Sequence, residues 1–189
     1  SRLGAFGCSG GGTVTAYLAA LDERVAAAAS ACYMTTFAQL LATVGPQDGE
    51  QSIPRFISEG LDFADWVAAA APRPYAIVST TEDMFPFAGA RDTFEESKRF
   101  YELFDAGDRL KWITGPGGHG ALQPIAGDIV GFFVEALRGG GPAPTSARVA
   151  PVRPEDLLCT ETGQLSTSIG GETIQSLNRA RAEKLPALP

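Results

Sequence analysis

Ser9 lies in a short glycine-rich pattern that is typical of a catalytic nucleophile. The segment Gly7-Cys8-Ser9-Gly10-Gly11 fits G-x-S-x-G, and it separates a short apolar run from a run rich in alanine and leucine. In that context a sharp strand-to-helix turn lifts the serine Oγ clear of a sheet, where it can attack a carbonyl carbon. Glycine is abundant in this chain, so a plain tight turn also fits the pattern. The spacing predicts Ser9 as a nucleophile.

His119 is the only histidine in the chain, and it lies between glycines in Gly117-Gly118-His119-Gly120. A serine nucleophile needs a base whose pKa is near neutrality, and this is the only imidazole available. Taken alone, the residue is as well explained as a loop histidine without a function. A single histidine also excludes a metal site built from several histidines.

Asp83 is the predicted third member of this group. It follows the apolar run 75–80 and precedes Pro86, and a carboxylate there could hold the imidazole in its productive tautomer. Glu82 is an adjacent alternative, Asp62 and Asp65 are weaker ones, and any of these acids could instead be a helix cap or a solvated charge. The chain order serine, aspartate, histidine is the order found in α/β-hydrolases and differs from the chymotrypsin and subtilisin orders.

The elements that must position these residues are indicated by alternating apolar runs. Strands are predicted over 2–6, 25–33, 75–80 and 110–114, and helices over 13–21, 63–71, 90–104 and 125–137. This alternation predicts an α/β fold, with a mostly parallel sheet flanked by helices. The three candidate residues each follow a strand, so they would meet at one edge of the sheet. The helix over 90–104 is predicted to have one broad apolar face, formed by Phe94, Phe100, Leu103 and Phe104.

Composition divides the chain into three parts. Residues 1–138 are predicted to form the α/β unit, and residues 139–155, rich in Gly, Pro and Ala, a linker. Residues 156–189 are predicted to form a small tail. Its expected structure is a hairpin around the turn at 161–163, followed by a helix over 172–185.

Charge and composition exclude several classes of function. The 189 residues include 22 acids and 15 bases, a net charge of −7, which argues against a nucleic-acid groove or a polybasic membrane patch. No apolar run approaches the roughly 18 residues of a membrane span. The glycine-rich segment lacks the G-K-[ST] ending and the G-x-G-x-x-G spacing of nucleotide sites. No metal and no cofactor are predicted.

Aromatic residues and cysteines near the candidate triad allow two further interpretations. Trp66, Phe85 and Phe87 are predicted to line an apolar substrate pocket, although aromatic residues are more often part of a core. The three cysteines are interpreted as packing residues, and their odd number leaves at least one unpaired within the chain.

Several segments together resemble one known group of enzymes. They are 7–13, 17–25, 71–74, 83–86 and 118–120, with 162–168 and 170–173 in the tail. They are similar to the C-terminal half of an α/β-hydrolase from the bacterial acetyl xylan esterase and prolyl-oligopeptidase-like group. The resemblance covers nearly the whole chain, and its motifs are specific to the superfamily but not to a substrate.

The resemblance implies a role for each candidate residue. Ser9 resembles the nucleophile, Asp83 the acid and His119 the base, and the Gly10 amide resembles one oxyanion-hole donor. A second donor and about four more strands would lie upstream of residue 1, so we expect this chain to be the later part of a longer protein. Loss of one oxyanion donor typically lowers the rate about 10²–10³-fold, so the chain alone is expected to have reduced or no activity.

The expected activity is that of a serine carboxylic-ester hydrolase that acts through an acyl-enzyme on a small-molecule or carbohydrate ester. An acetylated carbohydrate is the first substrate suggested by the resemblance. The alternatives are a serine peptidase of the prolyl-oligopeptidase type and, from another class, a non-catalytic binding protein or inactive fragment with the same fold. The oligomeric state and the choice between cytoplasmic and secreted locations stay open.

Overall fold

A four-stranded parallel sheet organises the described residues up to 142. The computed structural model describes residues 2–43, 48–142 and 150–186. The strands are β1 (Leu3–Cys8), β2 (Val25–Ala31), β3 (Tyr75–Glu82) and β4 (Leu110–Gly118). They are hydrogen-bonded in the order β1-β2-β3-β4, and every neighbouring pair is parallel. The predicted parallel sheet is confirmed, and all four strand ends lie at the same edge.

Helices connect and cover these strands. They are α1 (Gly10–Leu21), α2 (Phe37–Leu40), α3 (Phe63–Ala70), α4 (Phe87–Glu102) and α5 (Ala126–Arg138). Short 3₁₀ turns lie between these elements, at Gly49–Gln51, Ile57–Glu59, Gly107–Arg109 and Gln123–Ile125. Among the described residues, no helix is long and apolar enough to span a bilayer.

The core consists of two apolar clusters, one on each face of the sheet. The first joins α1, α3 and α4 to the sheet and contains Phe63, Val67 and Tyr101. The second lies under α5 and contains Ile129 and Phe132. Between them runs β2, whose sequence VAAAASA places small side chains on both faces. The helices can therefore approach the middle of the sheet closely from either side.

The apolar face predicted for the helix over 90–104 is wrong for three of its four residues. The buried residues of α4 are Gly89, Ala90, Thr93, Ser97 and Tyr101, whereas Phe100, Leu103 and Phe104 are exposed and Phe94 is partly buried. The reason is a close approach of the backbones. A Cβ added at Gly89 would lie 2.2 Å from Thr35 Oγ1 and 2.8 Å from the Thr36 amide nitrogen, which leaves no room for a larger side chain at the start of α4.

The tail is a separate compact unit and it contains helices where a hairpin was predicted. The chain divides into Ser1–Thr145 and Ser146–Pro189. The described residues 150–186 form a 3₁₀ turn (Pro154–Leu157), α6 (Leu165–Ser168) and α7 (Ile174–Ala182), and no strand.

Local hydrogen bonding by hydroxyl side chains explains why residues 161–168 do not form the predicted hairpin. Thr162 Oγ1 lies 2.6 Å from both Thr167 Oγ1 and Ser168 Oγ. Ser168 Oγ also accepts from the Thr162 amide at 3.0 Å. Such contacts offer the backbone an alternative to a strand ladder. The predicted last helix is present, and Thr173 caps it. Residues 143–149 of the predicted linker and 187–189 of the predicted tail lie outside the described residues.

Candidate active site

Ser9 occupies a strained turn between β1 and α1. Its backbone has φ 59° and ψ −123°, a region that L residues with a side chain rarely adopt. The Ser9 amide donates to the Ala31 carbonyl of β2 at 2.9 Å, and the Ser9 carbonyl accepts from the Thr13 amide at 3.0 Å. The turn is thereby tied both to the sheet and to the first turn of α1.

Two glycines make this turn sterically possible. A Cβ added at Gly7 would lie 2.1 Å from the Gly11 carbonyl oxygen, and one added at Gly12 would lie 2.7 Å from the Ala31 carbonyl oxygen. A Cβ at Gly11 would meet nothing within 4 Å. Glycine is therefore required on steric grounds at Gly7 and Gly12, and not at Gly11.

Asp83 and His119 form a direct hydrogen bond at the same edge of the sheet. His119 Nδ1 lies 2.7 Å from Asp83 Oδ1, with 30% of the histidine side chain and 3% of the aspartate side chain exposed. An ionised carboxylate can only accept, so the ring nitrogen donates. This tautomer leaves His119 Nε2 without a hydrogen and able to accept a proton.

Neighbouring groups fix the Asp83 carboxylate. The Phe85 amide donates to Oδ1 at 3.0 Å. The Thr80 hydroxyl lies 3.3 Å from Oδ2 and 3.0 Å from the Gly118 carbonyl oxygen, so its one hydrogen can serve either acceptor. Thr80 thus connects the end of β3 to the loop that bears the histidine. No sequence motif marks this residue, which is predicted only as the last position of a buried strand.

The other acids considered as partners of the histidine have different surroundings. Asp62 caps α3, since its Oδ1 accepts from the Phe63 amide at 2.7 Å and from the Phe37 amide at 3.0 Å. Asp65 accepts from the Asp62 amide at 2.7 Å in the same capping box. Glu82 is exposed at the end of β3. Asp83 is the acid that meets the imidazole.

Cys32 lies directly beneath the Asp83–His119 pair and was interpreted from sequence as a core residue. It follows β2, has φ 52° and is 2% exposed. Cys32 Sγ lies 3.9 Å from Thr80 Oγ1 and within 4.8 Å of the ligand atoms of Asp83 and His119. Burial, followed by the nearby Asp83 charge, raises the pKa of the Cys32 thiol to about 12. Its position after the second parallel strand was the one signal that could have placed it here.

Ser9 shares the sheet edge with this pair but is not hydrogen-bonded to it. Among the described residues, no hydrogen bond joins Ser9 Oγ to His119. The two loops nevertheless approach each other, because a Cβ at Gly120 would lie 4.0 Å from the sulfur of Cys8. Catalytic hydrogen bonds are often long without substrate and shorten in the reacting complex.

Gly10 is the first residue of α1 and is partly buried. The first amides of a helix lack an intrahelical acceptor, and the helix dipole places partial positive charge there. An oxyanion that formed near Ser9 would therefore meet a donor of suitable polarity. The role of this amide in an oxyanion hole stays a prediction.

Of the three aromatic residues predicted to line a pocket, Phe85 is the one in contact with the triad candidates. Its ring centroid lies 5.8 Å from that of His119. Trp66 instead stacks on Phe56 at 4.9 Å, and Phe87 packs against Trp112 at 5.1 Å. Aromatic content did not distinguish these environments in the sequence, because all three residues are aromatic and lie within a helix or near its start.

One group of potential metal-ligating side chains occurs among the described residues. It consists of Cys32, Asp83 and His119, whose ligand atoms all lie within 4.8 Å of one another. The set combines sulfur, oxygen and nitrogen donors, which zinc accepts in proteins.

The sheet order, the flanking helices and similar solved structures define an α/β-hydrolase-like fold. Methylesterase BT1017 is 25% identical over 95% of this chain and 39% of its own, with a TM-score of 0.69. A glucuronoyl esterase of carbohydrate esterase family 15 from Caldicellulosiruptor kristjansonii is 20% identical over 79% of this chain and 47% of its own, with a TM-score of 0.61. The glucuronoyl esterase from Sporotrichum thermophile is 17% identical over 80% of this chain and 48% of its own, with a TM-score of 0.56.

The chain therefore spans less than half the length of these proteins. No model of a known protein family matches the sequence, and a search of curated proteins finds no match. The similar structures are esterases with an α/β-hydrolase fold, which agrees with the superfamily expected from the sequence. They do not single out the acetyl xylan esterase and prolyl-oligopeptidase-like group within it.

Proposed function

We propose that this protein is a serine carboxylic-ester hydrolase that acts on carbohydrate esters through an acyl-enzyme. The observation that supports this most strongly is the 2.7 Å contact between Asp83 and His119, at the sheet edge that also bears the strained Ser9 turn. The fold and the neighbouring esterase structures are consistent with this chemistry. The hydrogen bond between Asp83 and His119 orients the imidazole so that its second ring nitrogen can take part in proton transfer.

The proposed reaction assigns one step to each residue. Ser9 Oγ attacks the ester carbonyl carbon while its proton passes to His119 Nε2, and the Gly10 amide stabilises the oxyanion. The carbon–oxygen bond to the alcohol then breaks, and the imidazolium returns the proton to the leaving oxygen. Water attacks the acyl-enzyme by the same route in reverse and releases the acid. Asp83 stays ionised throughout and stabilises the imidazolium.

Two kinds of carbohydrate ester are candidates for the substrate. The sequence resemblance favours acetylated carbohydrates, in which the sugar supplies the alcohol. The similar structures favour esters in which a sugar supplies the acid, because two of them are glucuronoyl esterases. A third is a methylesterase, a name that gives only methanol as the alcohol. Parallel assays with an aryl acetate, acetylated xylan and methyl glucuronate would distinguish the two. A prolyl amide belongs in the same panel, because faster turnover of the amide would favour the peptidase alternative.

Active-site labelling tests the proposed nucleophile and base without a known substrate. The folded chain is treated with a fluorophosphonate, and the adduct is located by mass spectrometry, with His119→Ala as the matched variant. We expect an adduct on Ser9 in the parent and a much slower reaction in the variant. An adduct on another residue, equal labelling of both proteins, or no labelling of the folded parent would contradict the proposal for this chain.

A further inference from the structure

Cys32, Asp83 and His119 bring three chemically different ligand atoms together at the end of the sheet. We propose that they form a binding site for a single thiophilic divalent cation, of the class of Zn²⁺ and Cd²⁺, whose binding replaces the Asp83–His119 hydrogen bond. A cation held there would switch off the hydrolase, an effect that rests on the proposed function. The binding itself does not depend on it.

The distances require only small movements to reach metal-site geometry. The three ligand atoms lie within 4.8 Å of one another, and the closest pair, Asp83 Oδ1 and His119 Nδ1, is 2.7 Å apart. Metal–ligand bonds of about 2.1 Å to nitrogen and oxygen and about 2.3 Å to sulfur place tetrahedral ligands about 3.4–3.6 Å apart. The nitrogen and oxygen must therefore separate by about 0.7 Å, and the sulfur must approach them by up to about 1.2 Å.

The histidine is the ligand that is free to make this movement. It lies between glycines, and Gly117 and Gly120 have φ values of 108° and 81°. Its side chain is 30% exposed, whereas that of Asp83 is 3% exposed. The Phe85 amide and the Thr80 hydroxyl hold the carboxylate from behind, as outer groups commonly do for metal ligands. The ion would enter from the histidine side and keep water in its fourth position.

The ligand set selects the class of cation. A thiolate together with an imidazole favours soft or borderline ions over Mg²⁺ and Ca²⁺, which prefer oxygen ligands. Binding forms a bond between the metal and Cys32 Sγ, and the thiol proton is released to the buffer. The hydrogen on His119 Nδ1 is exchanged through solvent for one on Nε2 as Nδ1 coordinates the ion. One proton is therefore released for each ion bound, and Nε2 can no longer act as the base.

Cadmium binding tests the proposed sulfur ligand, because a cadmium–thiolate bond absorbs in the ultraviolet. The full chain with Cys8→Ser and Cys159→Ser keeps Cys32 as its only thiol, and it is titrated with CdCl₂ while the ultraviolet thiolate-to-cadmium absorption is recorded. We expect this absorption to saturate at one ion per chain, and Zn²⁺ to displace it. Adding His119→Ala should weaken binding about tenfold or more, since even outer-sphere changes cost 10–100-fold at metal sites.

The variants separate a real site from a reactive thiol. His119 is at the surface, so its removal does not threaten folding, and its result decides the proposal even if Cys32→Ser fails to fold. No cadmium absorption in the single-thiol protein, or equal affinity with and without His119, would overturn the site. Cadmium absorption in a protein that hydrolyses none of the test esters would support the site and count against the proposed function. Unchanged ester turnover in the cadmium-loaded protein would overturn the inhibitory effect.

Discussion

The substitution Gly7→Ala tests whether the turn at Ser9 is built as the structure indicates. The new methyl carbon would lie 2.1 Å from the carbonyl oxygen of Gly11 and 2.3 Å from its carbonyl carbon, whereas ordinary contacts begin near 3.4 Å. Both opposing atoms belong to the backbone, so no side chain can rotate away. The end of β1 and the first turn of α1 must therefore separate by more than 1 Å.

The expected cost follows from this movement. Overpacking in a well-packed region destabilises by about 1–3 kcal/mol, and a clash between backbone segments belongs at the upper end, so we expect the free energy of unfolding to fall by about 2–3 kcal/mol. Ser9 lies between the two clashing glycines. A displacement of about 1 Å at a reacting group can lower the rate about 10²-fold, so ester turnover should fall as well.

Gly11→Ala is the matched control, because it changes the other glycine of the same motif. A Cβ there meets nothing within 4 Å, and the residue lies in the first turn of α1. Alanine favours helix over glycine by about 0.5–1 kcal/mol. We therefore expect no loss of stability, and a small gain is consistent with the helix preference.

Urea unfolding followed by circular dichroism measures both variants on one scale. Equal slopes with denaturant would allow the midpoints to be compared directly. The expected order of midpoints is Gly11→Ala at or above the parent, with Gly7→Ala well below it. If Gly7→Ala is as stable as Gly11→Ala, the close contact between β1 and α1 is not present in the folded protein.

Three further predictions concern the site and its supports. Asp83→Asn should lower kcat for an aryl acetate about 10³–10⁴-fold, because an amide does not hold the required tautomer of His119; an unchanged kcat would exclude Asp83 as its orienting group. Between pH 9 and 10 the free energy of unfolding should fall by up to about 1.4 kcal/mol per pH unit from Cys32 alone, since the thiol, whose pKa is raised from 9.0 to about 12, stays protonated in the fold while the unfolded chain ionises. Urea unfolding at the two pH values measures this slope, which should be smaller in Cys32→Ser. Gly89→Ala should lower the urea midpoint, because its Cβ would lie 2.2 Å from Thr35 Oγ1; a midpoint equal to the parent's would contradict this contact.

The strands and most helices could be predicted from sequence because their signals are local. Buried parallel strands appear as short apolar runs, and helix ends are marked by glycine and proline. The buried face of α4 could not be predicted in this way, because the hydrophobicity of its side chains does not determine which of them are buried. The face of α4 that continues from Gly89 buries Tyr101 and leaves Phe100 outside. Thr35 and the backbone beside it leave space only for a small residue at Gly89. That restriction comes from residues more than 50 positions away along the chain.

In the candidate site, too, some residues could be predicted from the local sequence, whereas others are recognised only by their contacts with distant parts of the chain. Asp83 and His119 could be chosen from their positions after strands and from the chain order, which depend on the sequence alone. Thr80 and Cys32 could not be assigned to the site from a motif, since a threonine or cysteine at the end of a buried strand has no pattern of its own. Their relevance comes from contacts with groups contributed by other strands, Thr80 with the Gly118 carbonyl of β4 and Cys32 with Thr80 of β3. The tail hairpin failed for a third reason, because local hydroxyl contacts outweighed β propensity.

The alanines of β2 determine how far apart the helix layers of this protein lie. Ala27, Ala29 and Ala31 face the cluster under α5, Ala28 faces the opposite cluster, and all four are at most 2% exposed. Only glycine has a smaller side chain than alanine, so a larger residue at any of these positions would overpack the contact between the sheet and the helices that cover it. Alanine is usually the safest residue to replace, yet here it is among the least replaceable. A library built to diversify this protein should leave β2 unchanged and vary the outward face of α4.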